Sequence, residues 1–366
     1  MALIYHVYSA KMIKKRKVLI FLPANIGGAE RVTVTIAQFL IEADYEVVFV
    51  VVTNHIGSIQ HIIPKDKRIV IVRVRNIWDF TVTKISRIIS HEKPDFLFSS
   101  LRYLNPRVLM ASKLAGHAKV IVRNDNGLQT ARWDNKILMR WTYPWAEKVV
   151  AQQEEMRQEL IDQMKLNPQK VVAIHNPFNK GIIDQLAEEP SPYPQDSAVN
   201  VLHVGRFFHN KGQDTACKAF QQLHQRLPQA HLYFVGKFDE NDAYFQMVRE
   251  FVVTNGMEGF VHFVGHDPNP YKWMKHCDCL VMPSRYEGTP NVLIEAMYLR
   301  KPVVATKCIP IIEQMVRDGH NGLLVETDDI EAIASAMEKA LQLTDFGMTY
   351  QPGEKEDFLA LFQTES

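Results

Sequence analysis

The chain has 366 residues, 46% of them hydrophobic and 23% charged, with four cysteines (Cys217, Cys277, Cys279, Cys308). At roughly 150 residues per domain this predicts two domains, and the composition excludes a disordered tail protein, a collagen and a disulfide-stapled mini-domain. The net charge of +1 hides an asymmetry: residues 1–180 hold 27 Lys+Arg against 15 Asp+Glu, and the remainder 15 against 26. Such a split points either to an anionic partner of the first half or to two oppositely charged surfaces facing each other.

In chain order, Lys17–Leu22 is a short apolar run ending at Pro23, and residues 29–43 carry apolar side chains at helical spacing (Val32, Ile36, Phe39, Leu40). Strands follow at 46–52, 68–74, 95–100 and 119–123, with helices at 83–90 and 108–115. Unbroken Val/Ile runs predict strands covered on both faces, as in parallel sheets. Pro190, Pro192 and Pro194 suit neither a helix interior nor a central strand, so 188–195 reads as a linker between a domain at 1–187 and another at 196–341, with a tail at 342–366. After the linker the rhythm restarts: strands at 199–204, 231–235, 261–264, 279–282 and 302–306, and helices at 213–226, 243–254, 270–276, 290–299, 309–316 and 330–341. The expected fold class is α/β, two doubly wound Rossmann-like domains facing a cleft, with ligands beyond the carboxyl ends of the strands.

No stretch approaches the roughly 20 apolar residues of a spanning helix. The basic cluster Lys11, Lys14, Lys15, Arg16 and Lys17 precedes an apolar run too short for a signal-peptide core. With few cysteines and no C-x-x-C pair, which also argues against a zinc knuckle, a cytoplasmic protein is expected.

Four loops carry candidate chemistry. Residues 283–297 run from a buried strand through a polar loop into a helix, with Thr289 expected as N-cap and Pro290 as first helical residue. The N–H groups of Asn291 and Val292 would then be open to phosphate or sugar oxygens. Glu287 and Glu295, eight positions apart, offer carboxylates suited to vicinal hydroxyls, one on a sugar and one on a ribose. Taken singly, Glu287 also fits a helix-dipole carboxylate and Glu295 a solvated helical residue. In Gly205–Gly212, Arg206 and Lys211 pair a planar fork with a point charge, a clamp for a diphosphate whose charge grows on leaving; a solvated surface pair is the plain alternative. Gly27 and Gly28 follow the first strand and allow close approach of a ligand, assigned as the donor, or simply a tight turn. Asp125, in Asn124–Gly127, orients an acceptor hydroxyl, contacts the donor sugar, or simply belongs to a turn. No Asp-x-Asp occurs, so a metal-bridged diphosphate of that kind finds no support, and the P-loop and nucleophile-elbow patterns are missing too.

With these segments in hand, residues 17–341 resemble glycosyltransferase family 4, retaining enzymes of the GT-B fold. The likeness rests on the E-x7-E motif from Glu287 to Glu295, the G-R-x4-K-G loop from Gly205 to Gly212, Gly27–Arg31, Asn176-Pro177 and Asp318–Val325. The resemblance implies that Arg206 and Lys211 hold the diphosphate and Glu295 the ribose of a nucleotide-sugar, with Glu287 and the backbone of Gly288, Thr289, Pro290 and Asn291 on the transferred sugar. It implies same-face attack with no metal or other cofactor, and an acceptor presented by the first domain. The expected function is transfer of a hexose or N-acetylhexosamine, from a UDP-sugar rather than GDP-mannose, to a lipid-linked or polysaccharide acceptor in cell-surface glycan synthesis. A peripheral contact with an anionic membrane is expected from the basic first half, and no nucleic acid partner. The alternatives are a non-hydrolysing nucleotide-sugar epimerase on the same fold and a catalytically impaired sugar-nucleotide binder. Three positions depart from the family: Thr289 where Phe is common, Arg300 where Gly is common, and a short tail in which Glu354–Phe362 is the candidate crossover helix.

Overall fold

A computed structural model describes residues 15–24, 27–53, 59, 62–74, 81–116, 118–194, 199–344 and 347–363. Lys11, Lys14, the Asn25-Ile26 pair of the first loop, Gln195 at the end of the Pro-rich stretch and residues 364–366 of the tail lie outside them.

The chain forms two compact units, one of residues 1–174 with 354–366 and one of residues 175–353. The first holds seven strands: β1 (Lys17–Leu22), β2 (Glu46–Thr53), β3 (Arg68–Arg73), β4 (Phe96–Ser99), β5 (Lys119–Arg123), β6 (Lys148–Ala151) and β7 (Val171–Ala173). They pair in the order β3-β2-β1-β4-β5-β6-β7, all parallel, with Ile20 of the central β1 opposite both Phe49 and Phe98. The connections carry α1 (Gly28–Glu42), α2 (Thr81–Glu92), α3 (Asn105–Ala115), α4 (Trp133–Thr142) and α5 (Glu154–Met164). Every residue of β1 from Val18 to Leu22 is buried, as an unbroken apolar run in a doubly covered sheet demands. β3 is the exception to that reading. It lies at the sheet edge with Ile69 and Ile71 about 40% exposed.

The second unit opens with α6 (Lys180–Ala187) and builds a six-stranded sheet from β8 (Val199–Val204), β9 (Ala230–Val235), β10 (Val261–Gly265), β11 (Cys279–Met282), β12 (Val303–Thr306) and β13 (Gly322–Val325). Their order is β10-β9-β8-β11-β12-β13, again parallel. Its further helices are α7 (Gln213–Arg226), α8 (Ala243–Thr254), α9 (Pro270–His276), α10 (Asn291–Tyr298), α11 (Ile311–Met315) and α12 (Ile330–Ala340). Cys217, Cys277 and Cys279 are buried thiols in this unit.

The boundary differs from the expected one. The chain changes units at 174/175, before α6, and not within 188–195. The Pro-rich stretch is packed on its own unit: the buried Tyr193 donates its hydroxyl to the Trp273 carbonyl at 2.8 Å, and Lys272 pairs with Glu189 at 3.2 Å. Prolines stop a helix, but they do not stop an aromatic side chain from docking. Asn269 likewise holds the end of α6 through the Leu186 carbonyl. The second unit also runs past residue 341 to Gly353, and the tail then returns to the first unit. There α13 (Lys355–Ala360) and its end bury Phe358 and Phe362 against Phe39, Tyr45, Phe96 and Phe98, while Lys355 pairs with Glu42 at 2.6 Å. Each such ring contributes roughly 2–3 kcal/mol on burial.

Candidate functional site

In a doubly wound sheet the ligand crevice opens where the strand order reverses. In the second unit that point lies between β8 and β11, so the loops after these two strands meet there. They are the Gly205–Gly212 and 283–290 loops.

Backbone geometry brings them into contact. Gly212 has φ +69°, and a Cβ there would lie 2.0 Å from the Pro283 carbonyl oxygen, so only glycine lets the two chains pass. Arg285 N–H donates to the Asn210 carbonyl at 2.8 Å. The Arg285 guanidinium then forks onto Asp214 at 2.8 and 2.9 Å, donates to the His209 carbonyl and reaches Asp328. Burial opposes the charge on Asp214, yet Arg285 and the Tyr244 hydroxyl outweigh it and hold its carboxyl down at about 2. Arg285 carries no family signal in the sequence reading. Its position two residues past the buried Pro283 was the available clue.

Lys211 and Glu287 come together directly. Lys211 Nζ donates to both Glu287 oxygens at 2.7 Å, and Ser284 Oγ donates to Oε1 at 2.7 Å. The Glu287 side chain is 9% exposed and that of Lys211 28%. The cation and the acid expected at opposite parts of a donor are therefore one ion pair. Below them the buried His203 accepts no charge: burial pushes it down to about 4, and Nε2 lies 3.2 Å from the Lys211 carbonyl. A neutral ring must donate from Nε2 there, which fixes the backbone of Lys211. Burial, with the Glu287 charge nearby, pushes the Cys308 thiol up to about 11, so it stays protonated.

The helix start differs from expectation in two ways. α10 begins at Asn291 with Pro290 as N-cap, and Thr289 supplies no side-chain cap; its hydroxyl is buried without a partner among the described residues. The Asn291 N–H is also not open, since it donates to the Thr289 carbonyl at 3.0 Å. Proline fixes φ near −65° and so sits well at the junction, but it displaces the helix start by one residue. The Asn291 side chain instead accepts from Asn176 Nδ2 at 2.7 Å, and Val292 is half-buried. Glu295, half-buried on α10, accepts from the Tyr271 hydroxyl at 3.2 Å. Gly288 is partly exposed in the loop, and Arg206 is exposed with its guanidinium 5.5 Å from the Phe208 ring centroid.

The first unit has its own reversal between β1 and β4. Gly27 caps α1 in an extended conformation and Gly28 is its first residue; the Thr33 and Ser100 hydroxyls bond across the reversal. Asp125, past β5, accepts from Arg102 Nε at 3.3 Å, and Arg102 also holds the Gly127 carbonyl at 2.8 Å. Close packing, then the charges of Glu30 and Asp125, push the half-exposed Tyr103 up to about 12. Asp125 thus lies in a different unit from Glu287. Among the described residues no three His, Cys, Asp or Glu side chains cluster as a metal site requires, and no helix is long and apolar enough to cross a membrane.

Two parallel α/β units, the second with its reversal-point loops joined, are the architecture of GT-B glycosyltransferases. HepE of Anabaena, in a crystal structure with UDP and glucose, shares it with a TM-score of 0.71, covering 90% of this chain and 96% of that one at 20% identity. Residues 26–180 match the profile of Glycosyltransferase Family 4 and residues 198–343 that of Glycosyl transferases group 1. The chain belongs to glycosyltransferase family 4. It is 26% identical over 253 residues to an uncharacterized glycosyltransferase of Methanocaldococcus jannaschii, a match spanning 63% of this chain and 61% of that protein. It is 24% identical over 338 residues to an alpha-1,4-N-acetyl-D-galactosaminyltransferase of Campylobacter jejuni acting on a diNAcBac-PP-undecaprenol glycan, with 88% of each covered.

Proposed function

We propose that the protein is a retaining, metal-independent glycosyltransferase that moves a hexose or N-acetylhexosamine from a UDP-sugar to a lipid-linked glycan acceptor. The observation that carries this reading is the Lys211–Glu287–Ser284 cluster at the reversal point of the second sheet. An ammonium has three N–H groups, and Glu287 takes two, so one remains for a phosphate oxygen. Glu287 Oε1 is filled by Ser284 and Lys211, whereas Oε2 keeps one acceptor site for a sugar hydroxyl. Arg206, exposed on the same loop, adds a second cation for the diphosphate. Glu295 takes the ribose hydroxyls, and Val292 with Asn291 lines the helix start.

In this reading the bond between the anomeric carbon and the phosphate oxygen breaks as charge grows on the diphosphate beside Lys211 and Arg206. The acceptor oxygen bonds to the anomeric carbon on the same face, and its proton passes to the leaving phosphate oxygen. Cations fixed before the reaction need no reorganisation as that charge develops. Asp125 serves the acceptor side. The Anabaena protein binds UDP and glucose, and the Campylobacter relative acts on an undecaprenol-diphosphate glycan; both support the choice of substrates.

The test is a thermal-shift screen of UDP-, GDP- and ADP-sugars, followed by a transfer assay with undecaprenyl-diphosphate glycans. Stabilisation by a UDP-sugar and acceptor-dependent turnover are expected. Conversion of the UDP-sugar with no acceptor present would instead establish the epimerase.

A further inference from the structure

Among the residues placed on the donor, Glu295 lies a full turn inside a helix, as the fifth residue of α10. Its carboxylate turns on three single bonds, and ordering them on a ligand costs affinity. A neighbouring helix supplies that order beforehand. The Tyr271 hydroxyl donates to Glu295 Oε1 at 3.2 Å, and Tyr271 is 6% exposed. Topology brings the two together. α9 lies on the crossover from β10, at the sheet edge, to β11, beside β8, and Tyr271 stands in its first turn. Both helices therefore start beyond the carboxyl ends of their strands, on the ligand side of the sheet. The tyrosine is itself held. Asn269 Oδ1 accepts the Tyr271 N–H at 3.1 Å, and Asn269 Nδ2 donates to the Leu186 carbonyl at 2.8 Å. Asp267 takes the Asn269 N–H and the Trp273 Nε1–H, each at 2.8 Å. The backbone of Tyr271 is thus fixed from α6 and from within α9, and its buried ring holds the hydroxyl against Glu295.

We infer that Tyr271 is a positioning residue: it sets the Glu295 carboxylate for the ribose hydroxyls, and so makes the site select ribonucleoside diphosphates against their deoxy analogues. This rests on the ribose contact proposed above for Glu295. Phenylalanine would fill the same buried space, and a buried hydroxyl needs a partner to offset its lost hydration. At Tyr271 that partner is the acid itself. A phenol donates a single hydrogen, so it takes up one of the roughly four acceptor sites of a carboxylate. One bond to Oε1 is enough to set the plane of the acid. Adjacent hydroxyls on a furanose ring meet both oxygens only when that plane is right, and setting it in advance removes the cost of finding it on binding. A fixed carboxylate also discriminates. A nucleotide without the hydroxyls strips water from the acid and returns nothing, whereas a mobile side chain would swing back into solvent.

The experiment titrates UDP, and dideoxy-UDP lacking both ribose hydroxyls, into the full chain by calorimetry. The proteins are wild type, Tyr271→Phe, Glu295→Ala and the double variant. Wild type should bind UDP about 100-fold more tightly than dideoxy-UDP. Tyr271→Phe should weaken UDP about tenfold and leave dideoxy-UDP within about twofold, which also shows that the variant is folded. In the Glu295→Ala background, Tyr271→Phe should change nothing further, because the hydroxyl acts through the acid. An equal loss for both nucleotides, or a further loss in the Glu295→Ala background, overturns the inference, since Tyr271 then serves the fold alone. Unchanged UDP affinity in Tyr271→Phe overturns it too, while wild-type selectivity for UDP leaves the Glu295 ribose contact standing. Equal wild-type affinity for the two nucleotides removes that contact and the inference with it.

Discussion

Each unit sets a cation against a carboxylate on loops beyond its strands, but the two pairs are held very differently. Lys211 grips Glu287 with both contacts at 2.7 Å, with a neutral histidine on the Lys211 carbonyl and the Arg285 fork on the same two loops. Arg102 meets Asp125 at 3.3 Å, next to a tyrosine that is half exposed. A shared diphosphate is the same in every reaction cycle, so a rigid, prepaid arrangement of charge suits it. An acceptor surface gains from looser side chains. The contrast predicts that damage in the second unit removes stability together with donor binding or chemistry, whereas damage in the first removes turnover alone.

The largest effect is expected for Lys211→Ala. It deletes the phosphate cation and leaves a nearly buried Glu287 unpaired. Transfer should fall about 10³-fold and stability by about 3 kcal/mol, read by initial rates and thermal melts. Lys211→Met/Glu287→Gln should recover the melting temperature without recovering activity; recovery of activity would break the comparison.

Arg285→Ala should cost about 2–3 kcal/mol in urea unfolding and raise the donor KM while sparing kcat. It should also alter the acid limb of stability. Asp214 is held at about 2 in the folded state against about 3.9 unfolded. Its contribution, about 2.6 kcal/mol, is complete above about pH 5 and fades as pH falls towards 2. His203 acts earlier: folded it protonates near 4, unfolded near 6.5, so stability drops as pH falls through that window. Unfolding curves from pH 8 to 2 in both chains should show the His203 loss unchanged and the Asp214 loss only in wild type.

Arg102→Ala should lower turnover about tenfold, by freeing Asp125 and the Gly127 carbonyl, with UDP-sugar binding unchanged. An equal loss of donor affinity, by calorimetry, would erase the distinction between the units. The smallest effect is a gain. Arg300 ends α10 at φ +56°, a left-handed conformation that costs a side-chain residue about 1 kcal/mol. Arg300→Gly should raise stability by about that amount in urea unfolding with kinetics unaltered.

Much of the site could be read beforehand, because strand, polar loop and helix follow in order at 199–226 and at 279–298. The pairing within it could not. Helical spacing alone cannot tell that Lys211 spends two of its hydrogens on Glu287, or that Arg285 staples one loop to the other. Between Arg123 and the Pro-rich stretch the sequence reading assigns no element, yet α4, β6, α5, β7 and α6 all lie there. β6 and β7 are four and three residues long, and α4 turns its apolar stripe to solvent, so these three were not announced by length or inward periodicity; α5 did carry the signal, with Met156, Leu160 and Met164 buried at spacings of four. β13 escaped for the same reason of shortness.

Composition and local order were enough to determine two parallel α/β units, the family and the loops at which chemistry should be sought, since buried strands and helix starts write themselves in short stretches of chain. Where the units divide, which helix starts at Asn291, and which charge neutralises which were decided only by folding. Those outcomes depend on side chains from distant segments competing for the same few ångströms, and a linear pattern carries no record of who wins that competition.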